Sequence, residues 1–308
     1  MNGFTTLGKV SEQVAQMSKG CTDRLIAVKD VQFESIETVM IAGEPHSMSP
    51  VAQQRMVSRL KIPLPYLRKC SRSVQAYNLN HWIARERNEK LFFRFDGPAV
   101  RAVFTPRYRP ADNFEVLDRL DSVGYSPDTE VQCHLNKELM ALSIPDGEKV
   151  FALNDEKIVP GISIANSEVG IAALSVSAFF LRIVCTNGMI SKAAVSSSYR
   201  HVSFKVLEEF PDILKTVSQQ YTKQKEKFKI SIQSVITDPE STIYVMNEAF
   251  HLSELEREAI KWAIPYEYGN TLFNIVNIYT RAAQYEPLSV ESRHYLQKTG
   301  GQILSMTT

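Results

Sequence analysis

The order of hydrophobic periodicities along the chain constrains the fold more than any other feature of the sequence. Helical spacing dominates from about residue 49 to 87 and again after residue 206, whereas segments rich in β-branched and aromatic residues lie between them. Strand segments that follow one another across short turns favour antiparallel pairing. The sequence therefore predicts an α+β fold, with a mostly antiparallel sheet over about residues 90–190 flanked by N-terminal helices and a helical C-terminal part.

Three regions follow from this order. Residues 1–45 lack a strong period and end in the turn signal Gly43-Glu44-Pro45, so we expect an N-terminal arm that is loosely structured or ordered by a partner. Residues 46–205 form the predicted basic α+β domain, and residues 206–308 form a helical region. The helical region contains a seam of residues with coiled-coil-like spacing, at Phe210, Leu214, Val217, Tyr221, Gln224 and Phe228. This seam predicts packing on the sheet or on a neighbouring subunit of a homo-oligomer.

Capping signals predict where several helices begin. Ser49-Pro50 is typical of an N-cap followed by proline in the first turn, and this helix is expected to stop at Lys61–Pro65. Capping boxes begin at Asp112 and Ser253. A second helix is predicted from about Ser71 to Arg87. Arg72, Arg85 and Arg87 are left for solvent or ligand, and one side of the helix carries Val74, Tyr77, Asn78, His81 and Trp82.

A hairpin is predicted around Asp96-Gly97. In the expected register, Arg94 lies opposite Ala99 and Phe92 lies opposite Arg101. One face then forms the core through Leu91, Phe93, Phe95, Val100, Ala102 and Phe104. The other face presents Lys90, Phe92, Arg94 and Arg101, which is the pattern of an exposed stacking platform.

Charge is concentrated in the same part of the chain. Between Arg55 and Arg109 there are thirteen Lys and Arg against three acids, a net charge of +10; because the whole chain is +1, the remainder is −9. Aromatic residues are interleaved with these cations at Tyr66, Tyr77, Trp82, Phe92, Phe93, Phe95, Phe104 and Tyr108. Phosphates bind cations and unpaired bases stack on rings, so this combination favours single-stranded DNA or RNA as a partner. Solvated arginines over an aromatic core are the alternative interpretation.

The predicted nucleic-acid-binding residues are Lys90, Phe92, Arg94, Arg101, Arg107, Tyr108 and Arg109. Arg107 and Arg109 lie in a loop bracketed by Pro106 and Pro110, which limit the entropy that the loop loses on binding. These two arginines could equally pair with carboxylates such as Asp112 and Glu115.

Signals for catalysis are weaker. Asp146, Asp155 and Lys157 fit the spacing of a metal-dependent nuclease, although Pro145-Asp146-Gly147 is also an ordinary turn. The histidines show no ligand spacing, and no phosphate-binding or dinucleotide-binding glycine loop is present. We therefore expect a protein that is not an enzyme, with no cofactor and no metal, and we keep the nuclease as an alternative.

The cysteines and the hydropathy pattern bear on the compartment. Cys21, Cys70, Cys133 and Cys185 are widely separated, which is typical of a reducing interior. Neither a signal peptide nor a membrane span is predicted, because the longest apolar run ends at Arg182. A cytoplasmic protein without a membrane partner is expected.

Four stretches resemble a known family. Residues 100–120 read VRAVFTPRYRPADNFEVLDRL, residues 160–189 read PGISIANSEVGIAALSVSAFFLRIVCTNGM, residues 269–277 read GNTLFNIVN, and the chain ends near Gly300-Gly301. Together they resemble the phage/plasmid-like protein family, a domain of unknown function carried by mobile elements, over roughly Ser49 to Leu304. The resemblance implies a phage or plasmid setting and does not imply an activity.

The function predicted from these features is ATP-independent binding of single-stranded nucleic acid in annealing, recombination or protection of the element's DNA. The alternative is a protein-interaction factor, such as an inhibitor of a host defence system, whose basic segment binds an acidic host or phage protein.

Overall fold

The computed structural model describes residues 2–153, 156–182, 187–190, 208–219 and 221–307. The helices are α1 (Leu7–Ser18), α2 (Pro50–Leu60), α3 (Leu64–Lys69), α4 (Arg72–Ile83), α5 (Asn113–Ser122), α6 (Phe210–Gln219), α7 (Tyr221–Gln233), α8 (Pro239–Ala249), α9 (Glu254–Ala263), α10 (Leu272–Ala282) and α11 (Val290–Leu304). The strands are β1 (Asn2–Thr6), β2 (Cys21–Ala27), β3 (Val31–Phe33), β4 (Thr38–Ile41), β5 (Glu44–Met48), β6 (Lys90–Asp96), β7 (Ala99–Phe104), β8 (Glu130–Leu135), β9 (Met140–Pro145), β10 (Phe151–Leu153), β11 (Glu156–Asn166), β12 (Ser175–Arg182) and β13 (Asn187–Ile190).

The described strands form two sheets. A seven-stranded sheet has the order β1-β8-β9-β11-β12-β13, with β10 paired to β11, and a six-stranded sheet has the order β2-β6-β7-β5-β4-β3. The strand pairs in both sheets are antiparallel except β5 with β7, which is parallel. The predicted α+β class with mostly antiparallel sheet is confirmed.

Regular structure occupies residues 2–48, where the sequence predicts a loosely structured arm. β1 pairs with β8 and β2 pairs with β6, so these two N-terminal strands are completed by distant parts of the chain, whereas β3, β4 and β5 pair with one another. Local periodicity carries no information about such pairings. The six-stranded sheet is for that reason larger than the predicted hairpin.

Two hydrophobic cores hold the molecule together. The larger lies between the seven-stranded sheet, α1, α5 and the C-terminal helices, and the smaller lies between the six-stranded sheet and α2–α4. Phe210, Val217 and Phe228 of the predicted seam are buried in the larger core, and the ring of Phe228 lies 5.3 Å from that of Phe180 in β12. These three seam residues pack on the chain's own sheet, whereas the side chains of Leu214 and Gln224 lie outside those that the structure describes. Self-assembly through this region stays a prediction.

The caps that the sequence predicts are present. Ser49 Oγ accepts a hydrogen bond from the Ala52 amide, and the capping boxes at Asp112 and Ser253 are both complete. Lys61 ends α2 in the left-handed conformation with φ +57°, as the predicted stop requires. Pro63 and Pro65 also flank the start of α3, which begins at Leu64.

The predicted register of the hairpin is wrong. The turn is Gly97-Pro98, so Asp96 pairs with Ala99 and Arg94 pairs with Ala102. Between Arg94 and Phe95 the ladder is interrupted, which leaves Arg101 as an extra residue. This bulge reverses the alternation in β7.

The bulge changes which side chains face the core. Val100 and Val103 both belong to the smaller core, whereas Ala102 and Phe104 belong to a separate cluster on the opposite face with Val169. No helix among the described residues is long and apolar enough to cross a membrane.

Candidate nucleic-acid interface

Arg94, predicted to be an exposed phosphate ligand, is buried with a side chain 2% exposed. Its guanidinium lies 2.9 Å from Asp23 Oδ1 and 2.6 Å from Asp112 Oδ1, and Nη1 donates to the Glu168 carbonyl. Burial alone would lower the pKa of Arg94, but the Asp112 and Asp23 carboxylates raise it above its ordinary value. Arg94 is therefore a permanently charged structural residue, and each of its three side-chain nitrogens already donates to a group of the chain.

Phe92 and Arg101 of the predicted platform are partly covered as well. Arg101 pairs with Glu168 at 2.7 Å, and the other oxygen of that carboxylate accepts from the Asn113 amide at the start of α5. The ring of Tyr108 stacks on Phe104 at 3.7 Å and lies 5.6 Å from the ring of Phe92. Burying Phe92, Ala102 and Phe104 is favourable, which explains why the chain covers this face with its own residues.

Three of the predicted residues are accessible. Lys90, Arg107 and Arg109 are exposed, and none of them forms an ion pair with a described residue. The alternative in which Arg107 and Arg109 pair with Asp112 or Glu115 is not observed; Asp112 pairs with Arg94 instead. The structure therefore buries Arg94, leaves Phe92, Arg101 and Tyr108 half-buried, and leaves the other three predicted residues on the surface.

The exposed aromatic residues of the basic segment lie on α3 and α4. Tyr66 is 51% exposed, Tyr77 is 71% exposed and Trp82 is 46% exposed. Val74, on the same side of α4 as Tyr77, is exposed too, whereas Gln75, Leu79 and Ile83 are the buried residues of this helix. The side of α4 that the sequence marks as aromatic thus faces solvent.

The polar contacts of α4 explain this orientation. Asn80 accepts a hydrogen bond from the Phe33 amide and donates to the Phe33 carbonyl, and Gln75 Oε1 accepts from the Ile36 amide. Backbone groups that are removed from water must find partners, so the two amide side chains attach α4 to the edge strand β3. These amides, together with Leu79 and Ile83 in the smaller core, anchor the helix and leave its rings outside.

A groove of about 620 Å³ opens between these helices. Trp82 and Tyr66 both line it, together with the cations Lys61, Arg85 and Arg87. These three cations are exposed and form no ion pair with any residue that the structure describes. Glu86 is the one acid lining the groove, and it lies 3.3 Å from Arg59.

Burial favours protonation of Glu86, but hydrogen bonds from Asn88 and the charge of Arg59 dominate and hold the pKa of this carboxyl below its ordinary value. Glu86 therefore stays ionised, and its charge is balanced by Arg59. The three exposed cations keep the groove positive.

Two neighbouring depressions extend the groove. One of about 420 Å³ shares Arg59 and is lined by Arg55 and Tyr108, and one of about 830 Å³ shares Glu86 and Arg87 and reaches Lys90. We define the helical basic surface as the exposed basic and aromatic residues that line this path together with those that α3 and α4 add outside it. The residues that line the path are Lys61, Tyr66, Trp82, Arg85, Arg87 and Lys90, and those added by α3 and α4 are Arg68, Lys69, Arg72 and Tyr77, of which Arg72 lies 3.9 Å from Glu37. Sequence spacing identified Arg72, Arg85 and Arg87 as available but did not identify Tyr66, Tyr77 and Trp82 as exposed.

Two of the three residues of the nuclease alternative are described, and neither lies in a cluster of metal-binding side chains. Asp146 pairs with Lys149 at 2.7 Å and accepts from the Glu148 amide, Lys157 is exposed on β11, and Asp155 lies outside the described residues. Within the described ranges, no group of three or more His, Cys, Asp or Glu side chains is placed to hold a metal ion. Cys185 also lies outside these ranges.

Comparison with protein families, curated proteins and solved structures finds no match to this chain. The resemblance to the phage/plasmid-like family stays a prediction. What the fold and the surface define is an α+β protein with one basic, aromatic helical surface.

Proposed function

We propose that the protein binds single-stranded nucleic acid along the helical basic surface. One observation carries the proposal: Trp82 and Tyr66 open onto the same groove as Lys61, Arg85 and Arg87, and the charges of these cations are not neutralised by described residues. Bases would stack on the rings while phosphates contact the cations.

The rings favour a single strand over a duplex. Large aromatic side chains are costly to expose, and their faces become useful when a partner offers flat apolar surfaces of its own. The bases of a duplex are stacked on one another, whereas those of a single strand can turn toward Trp82 and Tyr66.

Annealing or protection of mobile-element DNA is the role that we attach to this binding. Holding bases against a surface needs no nucleotide hydrolysis, which agrees with a sequence that lacks a phosphate-binding glycine loop. The buried network around Arg94 takes no part in binding, because its donors are used within the chain.

Fluorescence anisotropy of a labelled oligothymidylate 20-mer, titrated with the full chain at several salt concentrations, tests the proposal. Release of counterions from about three phosphates predicts a slope near −2 in the plot of log affinity against log salt, at about −0.7 per contact for single strands. A duplex of the same length should bind more weakly.

Tryptophan fluorescence gives a second readout of the same site. The chain has two tryptophans, so Trp262→Phe leaves Trp82 as the only reporter, and we expect its emission to be quenched by the oligonucleotide. Absence of binding at low salt would reject the proposal and favour an acidic protein partner for this surface. Binding without quenching would reject Trp82 as the stacking residue.

A further inference from the structure

The smaller depression beside the groove contains an arginine that has no counter-ion among the described residues. We call this space of about 420 Å³ the Arg55 depression. Its polar wall is formed by Gln54, Arg55, Ser58, Arg59, Thr105 and Tyr108, and no described Asp or Glu lines it. The wall therefore offers positive charge and polar groups without a carboxylate.

Arg55 is held in place by uncharged groups. Nε donates to the Val169 carbonyl at 2.6 Å, Nη2 donates to the Gly170 carbonyl, and Cζ lies 4.6 Å from the centre of the Phe104 ring. Gly170 has φ +77°, and a Cβ atom there would overlap Arg55 Nη2, so this contact requires glycine. Within the described ranges, no carboxylate pairs with Arg55.

Arg94 shows how the chain compensates a buried arginine elsewhere. Burial lowers the pKa of both guanidinium groups; at Arg94 the carboxylates of Asp112 and Asp23 outweigh burial, whereas at Arg55 only Tyr108 opposes it and the pKa stays below its ordinary value. A partly buried charge without a counter-ion is unfavourable. An anionic ligand would supply the counter-ion that Arg55 lacks.

Both arginines of the depression keep a donor for such an anion. Arg55 Nη1 and Arg59 Nη1 form no hydrogen bond with any described residue, and neither nitrogen is enclosed by the chain. The exposed residues Ser58 and Thr105 add hydroxyl groups to the same wall. Guanidinium donors beside hydroxyl groups are typical of sites that bind phosphate.

The position of the depression indicates which phosphate fits. The groove shares Arg59 with the Arg55 depression and shares Glu86 and Arg87 with the larger depression, whereas the two depressions have no lining residue in common. The three spaces thus form a row, and a strand that follows the groove reaches the Arg55 depression at one end. A phosphate monoester at a strand end carries a charge of about −1.5 to −2 and three acceptor oxygens, whereas an internal diester carries a single charge.

We propose that the Arg55 depression binds the terminal phosphate monoester of a single strand that lies in the groove. This inference rests on the proposed function and adds to it the part of the strand that the site recognises. Arg55 Nη1 and Arg59 Nη1 would donate to the phosphate oxygens, and the negative charge would compensate Arg55.

Oligothymidylate 20-mers with and without a terminal phosphate test the inference. Anisotropy with the full chain compares 5′-phosphate with 5′-hydroxyl on a 3′-labelled strand, and 3′-phosphate with 3′-hydroxyl on a 5′-labelled strand. We expect phosphate at one of the two ends to tighten binding about tenfold, the effect of one charge-assisted hydrogen bond. Equal affinities with and without phosphate at both ends would overturn the inference and leave the proposed function intact, whereas no binding of any strand would overturn both.

Free phosphate is the other source of the same chemistry. Titration calorimetry with inorganic phosphate measures binding without a strand. If inorganic phosphate bound while strands with and without a terminal phosphate bound equally, the depression would be a site for free phosphate and the inference about strand ends would be wrong.

Four variants locate the terminal phosphate. Ser58→Glu and Thr105→Glu place a carboxylate on the wall, and repulsion should reduce the preference for the phosphorylated strand to less than about twofold. Arg55→Met removes the guanidinium and should have the same effect. Ser73→Glu adds the same charge to the exposed start of α4, outside the depression, and should keep the preference.

Circular dichroism checks that each variant is folded, and the ratio of the two affinities is compared within each variant. This ratio cancels any general loss of affinity that an added negative charge causes. An undiminished preference in folded Ser58→Glu and Thr105→Glu would place the phosphate elsewhere and contradict the site.

Discussion

Asn80 holds the backbone of Phe33 by two hydrogen bonds, accepting from its amide at 2.7 Å and donating to its carbonyl at 2.8 Å. The contact joins a surface helix to the edge strand of the six-stranded sheet. Because polar side chains make this attachment, the aromatic side of α4 is left outside, where Trp82 lines the groove. The candidate interface therefore depends on a residue that does not belong to it.

Replacement of this amide should destabilise the protein. Asn80→Ala leaves the Phe33 amide and carbonyl without their partner, which we expect to lower the free energy of unfolding by about 1–3 kcal/mol. Urea denaturation measures the change. The control is Asn78→Ala on the same helix, whose side chain bonds only to the Val74 carbonyl of its own helix and should cost less than about 0.5 kcal/mol. Equal losses in the two variants would show that the contact with β3 contributes nothing.

Substitutions on the helical basic surface and on the covered sheet face should have opposite effects on oligonucleotide binding and on stability. Trp82→Ala should raise the dissociation constant for the oligothymidylate about 5- to 150-fold, since stacking of one base contributes about 1–3 kcal/mol, and should leave the unfolding midpoint almost unchanged. Phe92→Ala should lower the unfolding free energy by about 2 kcal/mol and leave the affinity of the folded protein unchanged.

Anisotropy and urea denaturation on the same preparations separate these effects. Tyr244→Ala removes an exposed ring from α8, 64% exposed against 46% for Trp82, and is the control for Trp82→Ala. If Phe92→Ala weakened binding in the folded state while Trp82→Ala did not, the sheet face predicted from the sequence would be the interface after all.

Helix starts could be predicted because their signals are local. Ser49, Asp112 and Ser253 each satisfy amides within three residues of themselves, so neither the sheet nor the rest of the chain is needed to identify them. The alternation in β6 is equally local, and it correctly places Leu91, Phe93 and Phe95 in one core.

The candidate site could not be predicted in the same way. Whether Arg94 faces solvent depends on Asp23 in β2 and on Glu168 in the turn after β11, 71 and 74 residues away. Whether Trp82 is exposed depends on the attachment of Asn80 to β3. Alternation also fails beyond the bulge at Arg101, because one extra residue exchanges the two faces of β7.

Glu267 should be important for stability because it serves two arginines. It is almost fully buried, 2.6 Å from Arg182 in β12 and 3.3 Å from Arg281 in α10, so it ties the seven-stranded sheet to the C-terminal helices. Glu267→Gln removes the charge that compensates both guanidinium groups and should cost about 3–5 kcal/mol in urea denaturation. Glu248→Gln, which breaks an exposed pair with Arg257, should leave the urea denaturation midpoint almost unchanged. A small effect at Glu267 would show that other groups of the chain or solvent compensate these arginines.

Two buried histidines should make the protein less stable in mild acid. Burial lowers the pKa of His134 to about 4, with further lowering by Arg293 and His294, and burial beside Lys298 lowers the pKa of His294 to about 4. The unfolded chain binds protons at both residues near pH 6.5, so their contribution to stability is complete above that pH and is lost as the pH falls toward 4. Each group adds a slope of at most about 1.4 kcal/mol per pH unit to the unfolding free energy in this window. Urea denaturation between pH 7 and 4 measures the slope, and His134→Gln should reduce it by up to half. A slope unchanged in that variant would mean that His134 titrates alike in the folded and unfolded states.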